Sequence, residues 1–212
     1  MCMKTCKKFF SLFLALVMLA VFPSYTESFV SADTVQPRLS LPYHWGGTPR
    51  TVTFDISSLP SNYANAAVAA MNVWNRVKDP LTNQSQVTLK GKKGPGTGQC
   101  QITMRSSGFN DVGYTYVTYN EKNEYTSTEI WLYPYVSWSI GKKAGCYDVE
   151  TVVLHELGHA LGVAHCHEKG DSSCFSPTCS KNVMQPIIDP NTVRTTLQAY
   201  DSGSYQFIYM EL

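Results

Sequence analysis

Two histidines and a glutamate within one short segment are the side chains best suited to chemistry. His155 and His159 are four residues apart, so on a helix they project from the same face, one turn apart. Two imidazoles placed in this way can bind one metal ion, and Glu156 puts a carboxylate beside that ion. The metal lowers the pKa of a bound water, and a carboxylate can then accept its proton. The spacing therefore predicts a zinc-dependent hydrolytic site with Glu156 as the general base.

A third ligand is expected shortly after this helix. A catalytic zinc takes three protein ligands and keeps a fourth position open for water. Gly162 follows His159 by three residues, and glycine readily adopts the left-handed backbone that ends helices. A chain that turns at Gly162 brings His165 towards the metal, so His165 is the predicted third ligand. His167 is an alternative, and Cys166 is a rival ligand, although a disulfide is its expected fate in an oxidising compartment.

The complete pattern resembles a known clan of proteases. His155-Glu156-x-x-His159-x-x-Gly162-x-x-His165, followed by Met184 in Asn182-Val183-Met184-Gln185-Pro186, is similar to the metzincin zinc proteases. Within that clan, a methionine followed two positions later by proline is most similar to the matrixins. The resemblance implies an α+β domain with a twisted mixed sheet of five strands, an active-site helix and a small C-terminal subdomain below a cleft.

The resemblance also implies roles for residues outside the zinc helix. Met184 would form a hydrophobic floor beneath the zinc, and the alternative is an ordinary core methionine. Pro186, Ile187 and Ile188 would line the pocket that receives the side chain after the scissile bond. The strand at residues 129–133 would be the edge of the sheet and pair with an extended substrate.

The sequence also bears on further metal sites. No histidine lies between His44 and His155, so we expect no second zinc of the kind that matrixins often bind. Asp111, Glu121 and Glu124 lie in loop-like stretches and are compatible with a structural Ca²⁺. The alternative is that they are simply solvated, as scattered carboxylates usually are.

Periodicity predicts the elements that must position the site. Alternating residues predict strands at 51–56, 87–89, 100–104, 114–119 and 129–133, and a glycine-rich loop at 91–98. Helical spacing predicts a helix capped by Ser61 or Asn62 that ends before Pro80, and a second helix capped by Asp148. A last, weaker helix is predicted at 192–200. This order is typical of an α+β domain.

The first 32 residues are predicted to be a signal peptide. Three lysines precede an apolar run at 9–22, and Val30-Ser31-Ala32 offers the small residues that a signal peptidase reads. The alternative is an uncleaved signal anchor. Residues 33–212 would then form a secreted, extracellular catalytic domain. No second apolar run reaches spanning length, so no stable membrane association is expected.

Five cysteines remain once the predicted signal peptide is removed. Cys166, Cys174 and Cys179 lie close together and suggest a local disulfide, while Cys100 with Cys146 would make a longer one. An odd number leaves one thiol over. The sequence leaves the pairing open.

Composition excludes some classes of function. Hydrophobic residues make up 43% of the chain and the formal net charge is +1, so a folded core is expected and a nucleic-acid binder is not. We therefore predict a monomeric, secreted zinc endopeptidase with one catalytic Zn²⁺ that acts on proteins or peptides. One alternative is a non-catalytic, zinc-stabilised binding module, in which Cys166 or His167 would close the zinc shell. Another is a zinc hydrolase acting on a non-peptide amide.

Overall fold

The computed structural model describes residues 40–106, 111–167 and 179–210. These residues all belong to one compact unit, Val35–Leu212. The predicted signal peptide at 1–32 lies outside the described residues. Within the described ranges, no helix is long and apolar enough to cross a membrane.

Strands and helices follow one another along the described chain much as the sequence patterns predict. In chain order they are β1 (Arg50–Asp55), α1 (Ser61–Trp74), β2 (Val87–Lys92), β3 (Gln101–Met104), β4 (Gly113–Tyr119), β5 (Tyr125–Leu132), β6 (Trp138–Ser139), β7 (Tyr147–Asp148), α2 (Val149–Ala160) and α3 (Ala199–Tyr209). The main sheet has five strands in the order β2-β1-β3-β5-β4, and β6 pairs with β7 separately. Parallel pairs join β2, β1, β3 and β5, whereas β4 runs antiparallel to β5. The predicted α+β fold with a mixed sheet is therefore confirmed.

The edge of this sheet is not the strand that we expected. Residues 129–133 were expected at the edge, but β5 lies between β3 and β4. The edge strand beside the cleft is β4. The sequence could not reveal this, because a period of two reports which face of a strand is buried and not which strands lie beside it.

The core fills the space between the sheet and the two helices α1 and α2. Two tryptophans fix α2 to its neighbours: Trp74 Nε1, on α1, donates to the carbonyl of Leu154 at 2.9 Å, and Trp45 Nε1, in the segment before β1, donates to that of Ala160 at 2.9 Å. Side chains with no more than 1% exposure on these layers include Val52, Phe54, Ala67, Met71, Ile102, Ile130, Val153 and Leu157. This packing holds α2, which carries the histidines, against the sheet.

The helix starts follow local capping chemistry. Asp148 caps α2 as predicted, since its carboxylate accepts from the Thr151 N–H at 2.9 Å. The first helix begins at Ser61 after Pro60, without a side-chain cap, so the predicted cap at Ser61 or Asn62 is wrong. The last helix is also displaced from the predicted 192–200. It starts at Ala199, where Gln198 and Asp201 form a reciprocal capping box, while three β-branched threonines weaken helix formation before it.

The glycine-rich stretch at 91–98 is more regular than predicted. β2 runs on to Lys92, and a short 3-10 turn covers Thr97–Gln99. Gly91 packs against side chains of the core, so the chain is still part of the sheet there. The loop is therefore confined to the few residues between these two elements.

Candidate metal centre and cleft

Helix α2 and the turn after it bring the three predicted histidine ligands together. The Nε2 atom of His165 lies 3.1 Å from that of His159 and 3.2 Å from that of His155. The side chains of His155 and His159 come from successive turns of α2, as their spacing requires. The three ring nitrogens therefore point at a common centre.

Backbone carbonyls orient two of the imidazoles. The Nδ1 of His155 lies 2.8 Å from the carbonyl oxygen of Val183, and that of His159 lies 2.9 Å from the carbonyl of Val163. A carbonyl can only accept, so each Nδ1 carries the proton and donates it. Each Nε2 therefore presents a lone pair to the shared centre.

Burial keeps these two rings neutral. Removal from water, together with the charge that its neighbour histidines would carry, lowers the pKa of His155 well below its ordinary value. Burial, followed by the proximity of His165, lowers the pKa of His159 to about 4. Neutral imidazole is the form that binds a metal ion.

The three imidazoles fit zinc. A tetrahedral zinc with Zn–N bonds of about 2.0–2.1 Å separates its ligand nitrogens by roughly 3.4 Å, close to the 3.1 and 3.2 Å that His165 makes. Lone pairs that face one another at such distances are stabilised by a cation. Among the described residues, the cluster contains three ligand atoms, as a catalytic zinc site does.

The rival ligands lie in a different group. Cys166 and His167 cluster with Cys179, and their ligand atoms lie within 4.8 Å of one another. In that cluster the sulfur atoms of Cys166 and Cys179 are 2.7 Å apart. Cys174 lies outside the described residues.

The structure does not join Cys100 to Cys146. The sulfur of Cys100 accepts from the Thr128 N–H at 3.3 Å, in the interior of the sheet. The thiol of Cys146 instead donates to the carbonyl of Ala144 at 3.6 Å, just before β7. Each sulfur therefore has its own local partner, and this pairing, one of those that the sequence left open, is not formed.

A tight turn delivers His165 to the centre. Helix α2 ends at Ala160, and Gly162 adopts the left-handed backbone with φ of 85°. The N-terminal segment supports this turn, because Leu41 N–H donates to the Gly162 carbonyl at 2.7 Å and Ser40 pairs with Val163. The sequence has no local signal for this support, since the partners are far apart along the chain.

Met184 lies fully buried below α2. A Cβ atom added at Gly158 would collide with the Met184 sulfur, so the glycine inside the zinc motif leaves room for this methionine. The carboxylate of Asp201 accepts from the N–H groups of Val183 and Met184, each at 3.0 Å. Sequence reasoning missed Asp201, whose carboxyl pKa is raised by burial.

Strand β4 contacts the predicted general base directly. The hydroxyl of Thr115 donates to Oε2 of Glu156 at 2.6 Å, and a Cβ on Gly113 would lie 2.9 Å from Oε1. Burial raises the pKa of Glu156 to about 7, with the nearby Asp111 charge adding to the effect and the Thr115 hydrogen bond opposing it. Sequence reasoning did not single out Thr115 or Gly113 as site residues.

A cleft of about 430 Å³ opens over the histidines and Glu156. One wall is the start of β4, and the other contains the predicted Pro186, Ile187 and Ile188. Val112 and Val152 add apolar surface to it. The cleft therefore combines a polar centre with walls suited to an apolar side chain.

The calcium prediction remains a prediction. Among the described residues, two groups could hold a metal ion, and neither includes Asp111, Glu121 or Glu124. Asp111 lines the cleft. The Glu124 carboxylate instead accepts from the side-chain amide of Asn120 at 3.1 Å, in the hairpin between β4 and β5.

One family model covers the segment that contains the motif. The family model of matrixin matches residues 117–210. Among solved structures, "Structure of myroilysin" is similar at 15% identity and a TM-score of 0.46, over 80% of this chain and 96% of that one. "Crystal structure of myroilysin" is similar at 14% identity and a TM-score of 0.45, over 79% and 86%. No curated protein matches the chain. The matrixin resemblance that the histidine spacing and Met184 predict is thus confirmed over residues 117–210, the segment that contains the zinc motif.

Proposed function

We propose that this protein is a secreted zinc endopeptidase in which His155, His159 and His165 hold the metal and Glu156 is the general base. The observation that carries the proposal is the convergence of three Nε2 atoms beside a buried carboxylate in an open cleft. The matrixin match supports a zinc metallopeptidase as the class of activity.

The side chains around the cleft would divide the chemistry between them. A bound zinc would polarise the scissile carbonyl and make a water acidic. Glu156 accepts the proton of the attacking water and returns it to the nitrogen of the leaving amine. Burial raises the pKa of this carboxyl above its ordinary value, which favours its holding the proton between the two transfers. The carbonyls of Val183 and Val163 keep the His155 and His159 rings aimed at the centre throughout.

The open edge of β4 would bind an extended peptide. The carbonyl of Val112 accepts from the Tyr133 N–H, so Val112 faces β5. Backbone direction alternates along a strand, which means that the N–H and C=O groups of Gly113 and Thr115 face away from β5. A peptide that pairs with this edge would lie across the histidine centre. This arrangement favours peptides over a non-peptide amide.

The walls of the cleft suggest where one substrate side chain would bind. The residue after the scissile bond would insert between Val152 on α2 and the segment from Pro186 to Ile188. These surfaces are apolar, so an apolar side chain would be preferred there.

Export and a local disulfide are parts of the same proposal. The lysines and apolar run at the N-terminus support secretion. The separation of 2.7 Å between the sulfur atoms of Cys166 and Cys179 supports a disulfide between them. Peptide mapping of the unreduced protein by mass spectrometry identifies which of these cysteines are linked.

Digestion of a mixed peptide library, with and without a zinc chelator, tests the activity. Protein secreted from the full-length chain should make cuts that the chelator abolishes. Glu156→Ala should bind zinc and lose at least about 10³-fold in kcat, because the proton acceptor is gone. Glu150→Gln, on the first turn of the same helix, is the matched control and should cleave normally.

Two outcomes would contradict the proposal. One is wild-type cleavage by zinc-loaded Glu156→Ala. The other is the absence of any cut by folded, zinc-containing wild type, which would favour the zinc-stabilised binding module. In that module, Glu156 would have no reaction to support.

A further inference from the structure

The general base has a hydrogen-bond partner on the neighbouring strand. Thr115, in β4, places its hydroxyl oxygen 2.6 Å from Oε2 of Glu156 and 2.9 Å from the main-chain oxygen of the same residue. The two residues are 41 positions apart in the chain, so the contact depends on how β4 packs against α2. The hydroxyl has one proton, and the ionised carboxylate is both the nearer and the charged acceptor, so the proton is assigned to Oε2. A hydroxyl that donates to an ionised carboxylate makes one of the stronger kinds of hydrogen bond in proteins.

The second oxygen of the same carboxylate is positioned by a glycine. A Cβ at Gly113 would lie 2.9 Å from Oε1 and 3.1 Å from Cγ of Glu156, and 2.8 Å from Cγ1 of Val152. The absence of a side chain therefore leaves the space in which Oε1 lies. Two residues on the same face of β4 therefore act on different oxygens of the carboxylate. Thr115 donates a hydrogen bond to Oε2, and Gly113 leaves space for Oε1.

Such a contact matters because a glutamate carboxylate is otherwise free to turn. Its terminal torsion is broad and has no strong rotamer preference. Glu156 is only 6% exposed, so few water molecules can hold the carboxylate in place. A fixed donor on one oxygen restricts the rotation of the whole group, and proton transfer requires that the accepting oxygen be oriented.

We propose that Thr115 is a positioning residue that holds Oε2 of Glu156, so that Oε1 is the oxygen that takes the proton from water and returns it to the leaving amine. This inference rests on the proposed endopeptidase function. It adds that β4 has two tasks: its open edge pairs with the substrate, and its inner face sets the direction of the general base. The hydroxyl acts through the orientation of Glu156 and takes no part in the proton transfer itself.

Two variants of the full-length protein, compared with wild type, separate positioning from stability. Thr115→Val removes the hydroxyl and keeps the shape, and it should lower kcat about 10- to 100-fold. KM should change less than about twofold, since the backbone that pairs with substrate is unaltered. Thr115→Ser restores the hydroxyl and should recover kcat to within about threefold of wild type. Zinc content should be the same in all three proteins.

A matched control removes a buried hydroxyl elsewhere on the sheet. Thr128 lies on β5 and is fully buried, with its hydroxyl 3.6 Å from the Cys100 sulfur. Thr128→Val should therefore show any general effect of the substitution on stability, without an effect on kcat. The proposal is wrong if Thr115→Val keeps wild-type kcat, or if Thr115→Ser is as slow as Thr115→Val.

Crystal structures provide a readout that does not depend on activity. In wild type and Thr115→Ser, the Glu156 carboxylate should keep one orientation, with Oε2 on the hydroxyl. In Thr115→Val it should rotate or occupy two orientations. An unchanged carboxylate in Thr115→Val would overturn the inference. A wild type that binds zinc but cuts no peptide, with the expected rotation in Thr115→Val, would instead overturn the proposed function and leave the positioning role in place.

Discussion

The two edge strands of the sheet, β2 and β4, carry different kinds of exposed side chain. On β2, the exposed side chains Lys90 and Lys92 stand at alternate positions. On β4, the exposed side chains are tyrosines, and the strand has no charged residue. Unpaired edge strands can add a further strand, and lysines on an edge oppose this. The difference indicates that the lysines protect β2 from pairing with a further strand, whereas β4 remains available for such pairing.

Two aromatic side chains of β4 pack against the neighbouring strand β5. Tyr114 and Tyr116 pack on Trp131 of β5, with ring centroids 5.5 and 5.8 Å apart, and Arg105 lies 4.0 Å above the Trp131 ring. These contacts cover apolar surface on the outer face and stabilise the strand pair. The backbone of the edge remains open to a peptide.

The largest expected difference between the edges comes from one glycine on each. Gly113→Ala should lower kcat about 100-fold, because the new methyl group displaces the Glu156 carboxylate. Gly91→Ala on β2 meets only the ends of the Ile56 and Val68 side chains, at 2.8 and 3.1 Å. It should destabilise the fold by about 1–2 kcal/mol and leave kcat unchanged. Steady-state kinetics and thermal unfolding of both variants measure this difference. Equal losses of kcat in the two variants would contradict it.

A proline on β4 should have a smaller effect on substrate binding. By the alternation along the strand, the N–H of Val117 faces the open edge. Val117→Pro removes that donor without breaking a bond to β5, and edge strands tolerate proline in this position. We expect kcat/KM to fall about 10-fold, mainly through KM. Val117→Ala keeps the N–H and should bind substrate normally, so an equal loss in both variants would refute pairing through this group.

The smallest effect on cleavage is expected on the lysine edge. Replacing Lys90 and Lys92 together by serine removes the charges that protect β2. Self-association, measured by light scattering over a range of concentrations, should increase. Cleavage of a short peptide should stay within about twofold of wild type, since the cleft lies at the opposite edge. Increased association of a variant with lysines added to β4 would contradict this view of the two edges.

The site was predictable where the signals are local. The spacing of His155 and His159, the cap at Asp148 and the turn at Gly162 all act within a few residues of one another. Helical geometry therefore relates them directly, and the structure places their side chains as the pattern requires.

The rest of the site depends on contacts between distant segments. Thr115 meets Glu156 across 41 positions, and Asp201 holds Met184 across 17. Nothing in the local sequence distinguishes Thr115 from any other threonine in a strand. The order of the strands also depends on contacts between distant segments. The sequence pattern therefore does not show that the edge is β4 and not residues 129–133. The last helix starts later than predicted because Gln198 and Asp201 form its N-terminal cap. The residue pattern at 192–200 does not reveal that cap.

The packing of Met184 against Gly158 has a consequence for oxidative damage. A methionine sulfoxide carries an additional polar oxygen, and the sulfur here is fully buried against helix α2 with no space for one. Peroxide should therefore spare Met184 while the protein is folded and modify it once the chain opens. Sulfoxide at this position would then mark molecules that had unfolded, and those molecules could not restore the packing of Met184 against Gly158.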